Sequence, residues 1–404
     1  MSEPLVIVGN GMAAARFVEE LSKRALGRYA VAVIGEEPQL AYNRILLSSV
    51  LAGEVTPSEI ELKPASWWRH RGVTVRYGVP AIAVDATART VSLADGTKLP
   101  FAKLIFATGS RPLRMQVPGM ELAGVLTFRD VGDVCTITKI AARGARVVVI
   151  GGGLLGLEAA YGLAKAGAQV TVMHLMDTLM ERQLDTRAAA MLQRAVEAKN
   201  IRVLLKADTV RLVGSRRVEA VELKDGSTIE ADAVVVAIGI KPNTDLALAA
   251  GLAVNRGIVI DDTLETSVAG IHAIGECAEH ASQCYGLVEP AYEQARVLAE
   301  HLAGRNVRYA GSVLATNLKV SGVNVFSAGN FLGGPCTEEI VLTDPGFGTY
   351  KKLVISEGRL VGAVLFGDTG DGLWYLDLIR TGVSIERFRD DLVFGRALTE
   401  RAAA

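Results

Sequence analysis

Two glycine turns of one pattern, each between an apolar run and a helix-period segment, and a C-terminal stretch without such a turn predict an α/β fold with two Rossmann-like dinucleotide-binding domains followed by an α+β domain. The first turn is Gly9-Asn10-Gly11-Met12-Ala13-Ala14, directly after Leu5 to Val8. The second is Gly151-Gly152-Gly153-Leu154-Leu155-Gly156, after Val147 to Ile150 and about 140 residues further on. Residues 309–404 carry strand-like runs and one helical segment but no glycine turn.

The spacing has a chemical reason. The first glycine permits the tight bend, the second lets backbone approach a pyrophosphate, and a small third residue lets helix pack close on strand, so that the helix N-terminus faces the phosphates. Gly9, Gly11 and Ala14 take these places in the first turn, and Gly151, Gly153 and Gly156 in the second. Either turn alone also arises from plain packing; the two together point to two dinucleotides, or one kind bound twice.

Within the first unit, Tyr29 to Ile34 reads as a second buried strand ending in Gly35-Glu36-Glu37. A carboxylate there accepts hydrogen bonds from a ribose hydroxyl pair; Glu36 is the better placed and Glu37 the fallback, the alternative being a solvated acidic turn. In the segment 41–53, Arg44 lies among apolar residues, either to clamp a pyrophosphate or as the exposed residue of an amphipathic helix. The end of 54–70 reads as helix, with Trp67 and Trp68 as core. Short strands follow at 73–76 and 81–84, and Ala81, which opens the latter, is counted with the cofactor-binding positions. A hairpin at 90–99 turns at Ala94-Asp95-Gly96-Thr97. A buried strand from Leu104 then ends in Thr108-Gly109, where small residues bring backbone close to a cofactor, and Pro112 marks the exit.

The second unit repeats this plan. Its strand 168–174 ends in His174, where an NAD site often carries an acid; a neutral histidine hydrogen-bonds a ribose, and a protonated one tolerates a phosphate. NADH is favoured and NADPH stays open. A helix to Lys199, strands at 203–205 and 218–223, a hairpin at 224–227 and a strand 233–238 before Gly239-Ile240-Lys241-Pro242 echo the segment 104–112, which reads as duplication of one nucleotide-binding fold. The chain then returns to short strands at 257–261 and 271–274, ending in Gly275-Glu276. Glu276 either binds sugar-alcohol hydroxyls of a flavin or is a surface acid. A helix opening at 289–295 offers its N-terminal dipole to developing negative charge. The expected domains are 1–112 with 239–308, 113–238, and 309–404.

Composition restricts the function classes. A chain of 404 residues with 50% hydrophobic and 22% charged residues suits a globular enzyme, and 42 glycines suit several close backbone approaches. The net charge of -1, without a basic block or acidic tail, argues against nucleic-acid and anionic-membrane partners. No apolar run nears the ~20 residues a membrane span needs, and the N-terminus lacks a signal-peptide plan, so a cytoplasmic location is expected. Cys135, Cys277, Cys284 and Cys336 form no C-x-x-C, which points away from a redox disulfide, an iron–sulfur cluster or a zinc site; all four are expected to be small buried residues. No metal ligand set is expected.

With these residues in place, the chain resembles the FAD-dependent pyridine nucleotide reductases of the glutathione-reductase-like fold. The resemblance implies that Gly9, Gly11, Ala14, Glu36, Arg44, Thr108, Gly109, Gly275 and Glu276 hold FAD. It likewise implies that Gly151, Gly153, Gly156 and Glu158 hold NAD(P)H, with Glu158 near the nicotinamide. Glu276 stands where the family usually has aspartate. Within that family, VGNGMA, AYNRILLSSVLAGE, HLMDTLMERQLD, AIGECA, LKVSGVNVFSAG and GDTGDGLWYLDLI resemble the N-terminal flavoprotein part of assimilatory NAD(P)H-nitrite reductase large subunits. Those subunits also carry a cysteine-rich iron–sulfur region and a sirohaem domain, neither of which lies in these 404 residues. The resemblance therefore implies a stand-alone reductase that passes electrons from NAD(P)H through FAD to a protein acceptor, a nitrite or nitrate reductase component. A ferredoxin or rubredoxin is the alternative acceptor, a homodimer is open to it, and no catalytic side chain is implied beyond the cofactor shell. Ser48-Ser49 stand where ferredoxin reductases of ring-hydroxylating oxygenases often have Ser-Lys. Disulfide reductases and NADH oxidases of this fold need a redox cysteine in the first domain, and 35–55 has none. A non-enzymatic FAD-binding redox sensor is the remaining alternative, and it would turn over NADH slowly with every acceptor.

Overall fold

The computed structural model describes residues 2–25, 27–141, 144–320 and 323–402. Ser321 and Gly322 of LKVSGVNVFSAG lie outside the described residues. The chain forms two compact units, one of residues 1–46, 55–111 and 240–312, the other of 47–54, 112–239 and 313–404.

In the first unit the run Leu5 to Val8 is buried on both faces, which is what a central parallel strand requires. It belongs to the strand Glu3–Val8, flanked on one side by Tyr29–Ile34 and then Thr74–Arg76, and on the other by Lys103–Phe106 and then Ile271–Ala273, all parallel. The helix Met12–Arg24 buries Ala14, Ala15, Phe17, Val18 and Leu21 along one face, and Lys23 and Arg24 in its last turn complement the helix dipole. It packs alongside the helix Val288–Leu302. An antiparallel sheet of Ala81–Asp85, Thr90–Leu93 and Lys98–Pro100 forms the expected hairpin and one strand more.

The second unit repeats the arrangement. Arg146–Ile150 is central, with Gln169–Met173 and Arg202–Leu204 on one side and Ala233–Val236 and Val125–Thr127 on the other, again all parallel. A three-stranded antiparallel sheet of Thr209–Val213, Ala220–Leu223 and Thr228–Glu230 matches the hairpin sheet of the first unit. The duplication read from the sequence is thus present strand for strand, except that the outermost strand beyond the centre enters from the C-terminal side in one sheet and from the N-terminal side in the other.

Residues 313–404 belong to this second unit. An antiparallel sheet runs in the order Ala315–Val320, Val323–Gly329, Arg359–Phe366, Thr349–Ser356, Glu338–Asp344. The helix Gly372–Thr381 buries Tyr375, Leu376 and Leu378 in a core with Phe326, Leu353, Ile355 and Leu365, and ends on Gly382 with φ +59°. On this sheet the Tyr350 hydroxyl donates to Asp185 Oδ2 at 2.6 Å, while Asp185 Oδ1 caps the helix Thr186–Glu197 by accepting from the Ala188 N–H at 2.8 Å.

Two expectations change. Cys277 is buried and Cys284 half-buried, but Cys135 and Cys336 are exposed, the first on the outer face of the helix Val131–Ala141 and the second in a turn between strands. Trp68 is core, whereas Trp67 is only half-buried, with the Arg71 guanidinium 4.0 Å from its ring centroid. The helix Val131–Ala141 had no sequence signal: β-branched residues dominate it, and packing together with the Asp130 carboxylate accepting from the Asp133 N–H at 2.8 Å overrides that weak propensity. Among the described residues, no helix is long and apolar enough to cross a membrane, and no cluster of His, Cys, Asp and Glu could hold a metal ion.

Candidate functional site

The two glycine turns have the same geometry. Gly9 has φ +118°, and a Cβ there would lie 2.0 Å from the Ala107 carbonyl oxygen; Gly151 has φ +126°, and its Cβ would lie 2.2 Å from that of Ala237. Each first glycine is therefore pressed against the neighbouring strand, and only glycine fits. At the second glycines, Gly11 and Gly153, nothing lies within 4 Å of a Cβ, so the backbone faces open space. Each is also the N-cap of its helix, Met12–Arg24 or Leu154–Lys165, and neither helix has a side-chain cap. The orphan N–H groups of both first turns are thus presented to whatever fills that space, which suits a pyrophosphate. Gly156 cannot carry a Cβ, since one would lie 1.9 Å from the Gly151 carbonyl oxygen, while Ala14 is accommodated fully buried.

The middle residues of the turns differ by an exchange. Asn10 in the first turn lies over Gly35 at the end of the second strand, where a Cβ would come 2.7 Å from the Asn10 Cβ. In the second turn the glycine is in the turn: a Cβ on Gly152 would lie 2.7 Å from His174 Cγ. His174 Nδ1 accepts from the Gly152 N–H at 3.1 Å, and its Nε2 lies 3.0 Å from Glu181 Oε2.

Around the first turn, Gly275 (φ +81°) packs against the start of both long helices, with a Cβ position 3.1 Å from Ala13 Cβ and 3.9 Å from Ala291 Cβ. Its N–H donates to Gln294 Oε1 at 2.7 Å. Glu276 Oε2 accepts from Ser110 Oγ at 2.7 Å, beside Thr108 and Gly109; Thr108 Oγ1 donates to the Asn243 carbonyl at 2.7 Å, and Asn243 Nδ2 returns a bond to the Thr108 carbonyl at 2.9 Å. Glu36 is exposed at the end of its strand. Glu37 is half-buried, accepts from the Tyr42 hydroxyl at 2.6 Å and pairs with Arg44. Burial works to lower the Arg44 pKa, but Tyr42, Glu37 and Glu276 outweigh it and hold it above its ordinary value. Ala81 follows Gly78 and Val79, whose N–H groups donate to the Glu37 and Gly35 carbonyls at 2.8 and 3.0 Å, so it lies close to the same strand end. Glu158, in the first turn and a half of its helix, has its carboxyl pushed up to about 8 by desolvation.

The structure thus gathers Gly9, Gly11, Thr108, Gly109, Gly275 and Glu276 around one helix N-terminus, and Gly151, Gly153, Gly156 and His174 around the other. Sequence reasoning did not find Ser110, Asn243, Gln294, Gly152 or Glu181. Gln294 had a signal: a polar residue in the buried stripe with Ala291, Ala295 and Leu298.

Residues 3–295 match the family of pyridine nucleotide-disulphide oxidoreductases, and residues 315–383 the C-terminal domain of rubredoxin NAD+ reductase. A nitrite reductase [NAD(P)H] from Bacillus subtilis is 45% identical over 383 residues, covering 94% of this chain and 48% of that protein. An assimilatory nitrate reductase electron transfer subunit from the same organism is 42% identical over 374 residues, 92% of this chain and 48% of that one. The chain spans about half the length of these curated relatives. The ferredoxin reductase for the CYP199A2 system of Rhodopseudomonas palustris superposes with a TM-score of 0.89 at 25% identity, covering 100% of each chain. With two matching phosphate turns, each open at its second glycine, and a family match across both units, the chain belongs to the pyridine nucleotide-disulphide oxidoreductases and is an FAD-dependent NAD(P)H oxidoreductase.

Proposed function

We propose that the first turn holds FAD, the second holds NAD(P)H, and the electrons pass on to a protein acceptor of nitrate or nitrite assimilation in the cytoplasm. The observation that carries this reading is the paired turn geometry, with backbone donors facing open space at Gly11 and Gly153. FAD, when bound, supplies the chemistry of accepting a hydride from NAD(P)H and releasing electrons singly.

This chain's residues bind, orient and tune. The helix N-termini after Gly11 and Gly153 bind phosphate through unpaired N–H groups. Arg44, held charged, neutralises a pyrophosphate next to Glu37. Glu36 accepts from ribose hydroxyls, and Ala81 lines the adenosine end of the same site. Glu276, fixed by Ser110, accepts from the sugar-alcohol chain, and Gln294 fixes the Gly275 N–H so that the turn keeps its shape. The helix Val288–Leu302, which lacks a side-chain cap, would offer its N-terminal partial positive charge to a bound flavin. Glu158, neutral at pH 7, donates or accepts beside the nicotinamide without placing a charge there. Similarity over 92–94% of the chain to a nitrite reductase and a nitrate reductase electron transfer subunit favours that acceptor. The match of residues 315–383 to the C-terminal domain of rubredoxin NAD+ reductase favours a second reading, a rubredoxin or ferredoxin as acceptor.

Anaerobic stopped-flow absorbance tests both. Bleaching of the flavin band by NADH or NADPH, followed by rapid reoxidation with a nitrite or nitrate reductase component, supports the first reading. Reoxidation only by rubredoxin or ferredoxin selects the second. A purified protein without flavin, or no bleaching with either coenzyme, overturns both.

A further inference from the structure

In dinucleotide folds the residue at the end of the second strand meets the adenosine ribose, and a carboxylate there selects the free 2'-hydroxyl over a 2'-phosphate. Here that position is His174, and both its ring nitrogens are engaged. Because the Gly152 N–H donates to Nδ1, at 3.1 Å, the ring proton sits on Nε2, where Glu181 Oε2 lies 3.0 Å away. The histidine therefore has no free nitrogen for a ribose, and its remaining function is to hold a carboxylate. Gly152 makes this possible: a Cβ there would lie 2.7 Å from His174 Cγ and 2.6 Å from Leu179 Cδ2.

Glu181 reaches this place through a turn the sequence pattern does not announce. Met180 is buried with φ +53°, and its N–H donates to the Gly152 carbonyl at 3.1 Å, which fastens the turn to the phosphate loop itself. The Glu181 side chain keeps 30% exposure, and the Arg182 Nε lies 4.0 Å from its Oε1, with the arginine side chain 86% exposed.

We propose that Glu181, oriented by His174, is the acceptor for the adenosine ribose hydroxyls of the pyridine nucleotide and makes this enzyme select NADH over NADPH. The inference rests on the reading that the second turn takes the pyridine nucleotide. A 2'-phosphate would bring negative charge against the carboxylate, so the site both attracts the hydroxyl and repels its phosphorylated analogue.

The test is calorimetric binding of ADP-ribose, 2'-deoxy-ADP-ribose and 2'-phospho-ADP-ribose to the flavin-loaded protein, which requires no turnover. Wild type binds ADP-ribose about 10- to 100-fold more tightly than either analogue, the range for a hydrogen bond to a charged group. Glu181→Gln loses most of that difference while flavin content and Tm stay unchanged, Glu181→Asp retains part of it, and Glu181→Arg prefers the 2'-phosphate. Equal discrimination in wild type and Glu181→Gln, or a wild type that prefers the 2'-phosphate, overturns the assignment and leaves the second turn as the coenzyme site. If none of the three ligands binds, the assignment falls together with the site reading.

Discussion

Replacing Glu158 by glutamine removes a carboxyl that desolvation has pushed from 4.5 up to about 8. Between these values the folded chain keeps a proton that the unfolded chain has lost, so the stability of the folded state falls as pH rises through the window. Each pKa unit corresponds to about 1.36 kcal/mol, and the shift therefore costs on the order of 5 kcal/mol by pH 9, an upper figure because the half-buried site admits water. Glutamine keeps the shape and removes the titration. Denaturation midpoints of wild type and Glu158→Gln, compared at the same pH from 4 to 9, cancel every other titrating group. The expected pattern is equal stability near pH 4.5, with the variant gaining progressively through pH 8. A difference that does not change with pH, or one that favours wild type at high pH, would refute the argument that a desolvated acid sits at this position.

Other expectations follow from single contacts. Gly151→Ala places a methyl 2.2 Å from the Ala237 carbonyl oxygen at φ +126° and should cost about 1–3 kcal/mol of stability along with coenzyme binding, whereas Gly153→Ala, with open space around its Cβ, should keep its Tm and weaken NADH binding about tenfold. Ser110→Ala removes the donor at 2.7 Å from Glu276 and should raise the flavin dissociation constant about fivefold, from a hydrogen bond of about 1 kcal/mol, measurable by dialysis against free flavin. His272 is fully buried, and desolvation lowers its pKa to about 3. The unfolded chain therefore binds the extra proton between pH 6.5 and 3, stability falls as pH drops through that window, and His272→Leu should flatten the decline in acid-unfolding curves.

Much of the fold was legible because each central strand is an apolar run closed by a glycine turn, and because the plan occurs twice. Tyr29–Ile34 and Thr90–Leu93 lie where their patterns put them. Val125–Thr127 was not legible, since three half-buried residues at a sheet edge carry no periodicity. At the site, the glycines announced themselves through conformational demands that only glycine meets. The residues that hold the shells in place did not: Ser110 reaches Glu276 and Gln294 reaches the Gly275 N–H through hydrogen bonds that span 166 and 19 residues of sequence. Glu181 was hidden for another reason, because the left-handed conformation at Met180 reverses the chain where no glycine marks it.

The exchange between the two turns constrains how this protein can change over evolutionary time. Asn10 over Gly35, and His174 over Gly152, each fill a space that admits one side chain and excludes two. A lineage that would trade His174 for another recognition residue keeps Gly152 as a fixed background, and a lineage that first filled position 152 would have to make room against both His174 and Leu179 before it regained a folded turn. Positions 152 and 174 are therefore an epistatic pair. Reprogramming of the coenzyme, by selection or by design, therefore runs through positions 174 and 181 with Gly152 left as glycine, and libraries that vary position 152 alone would find mostly dead ends.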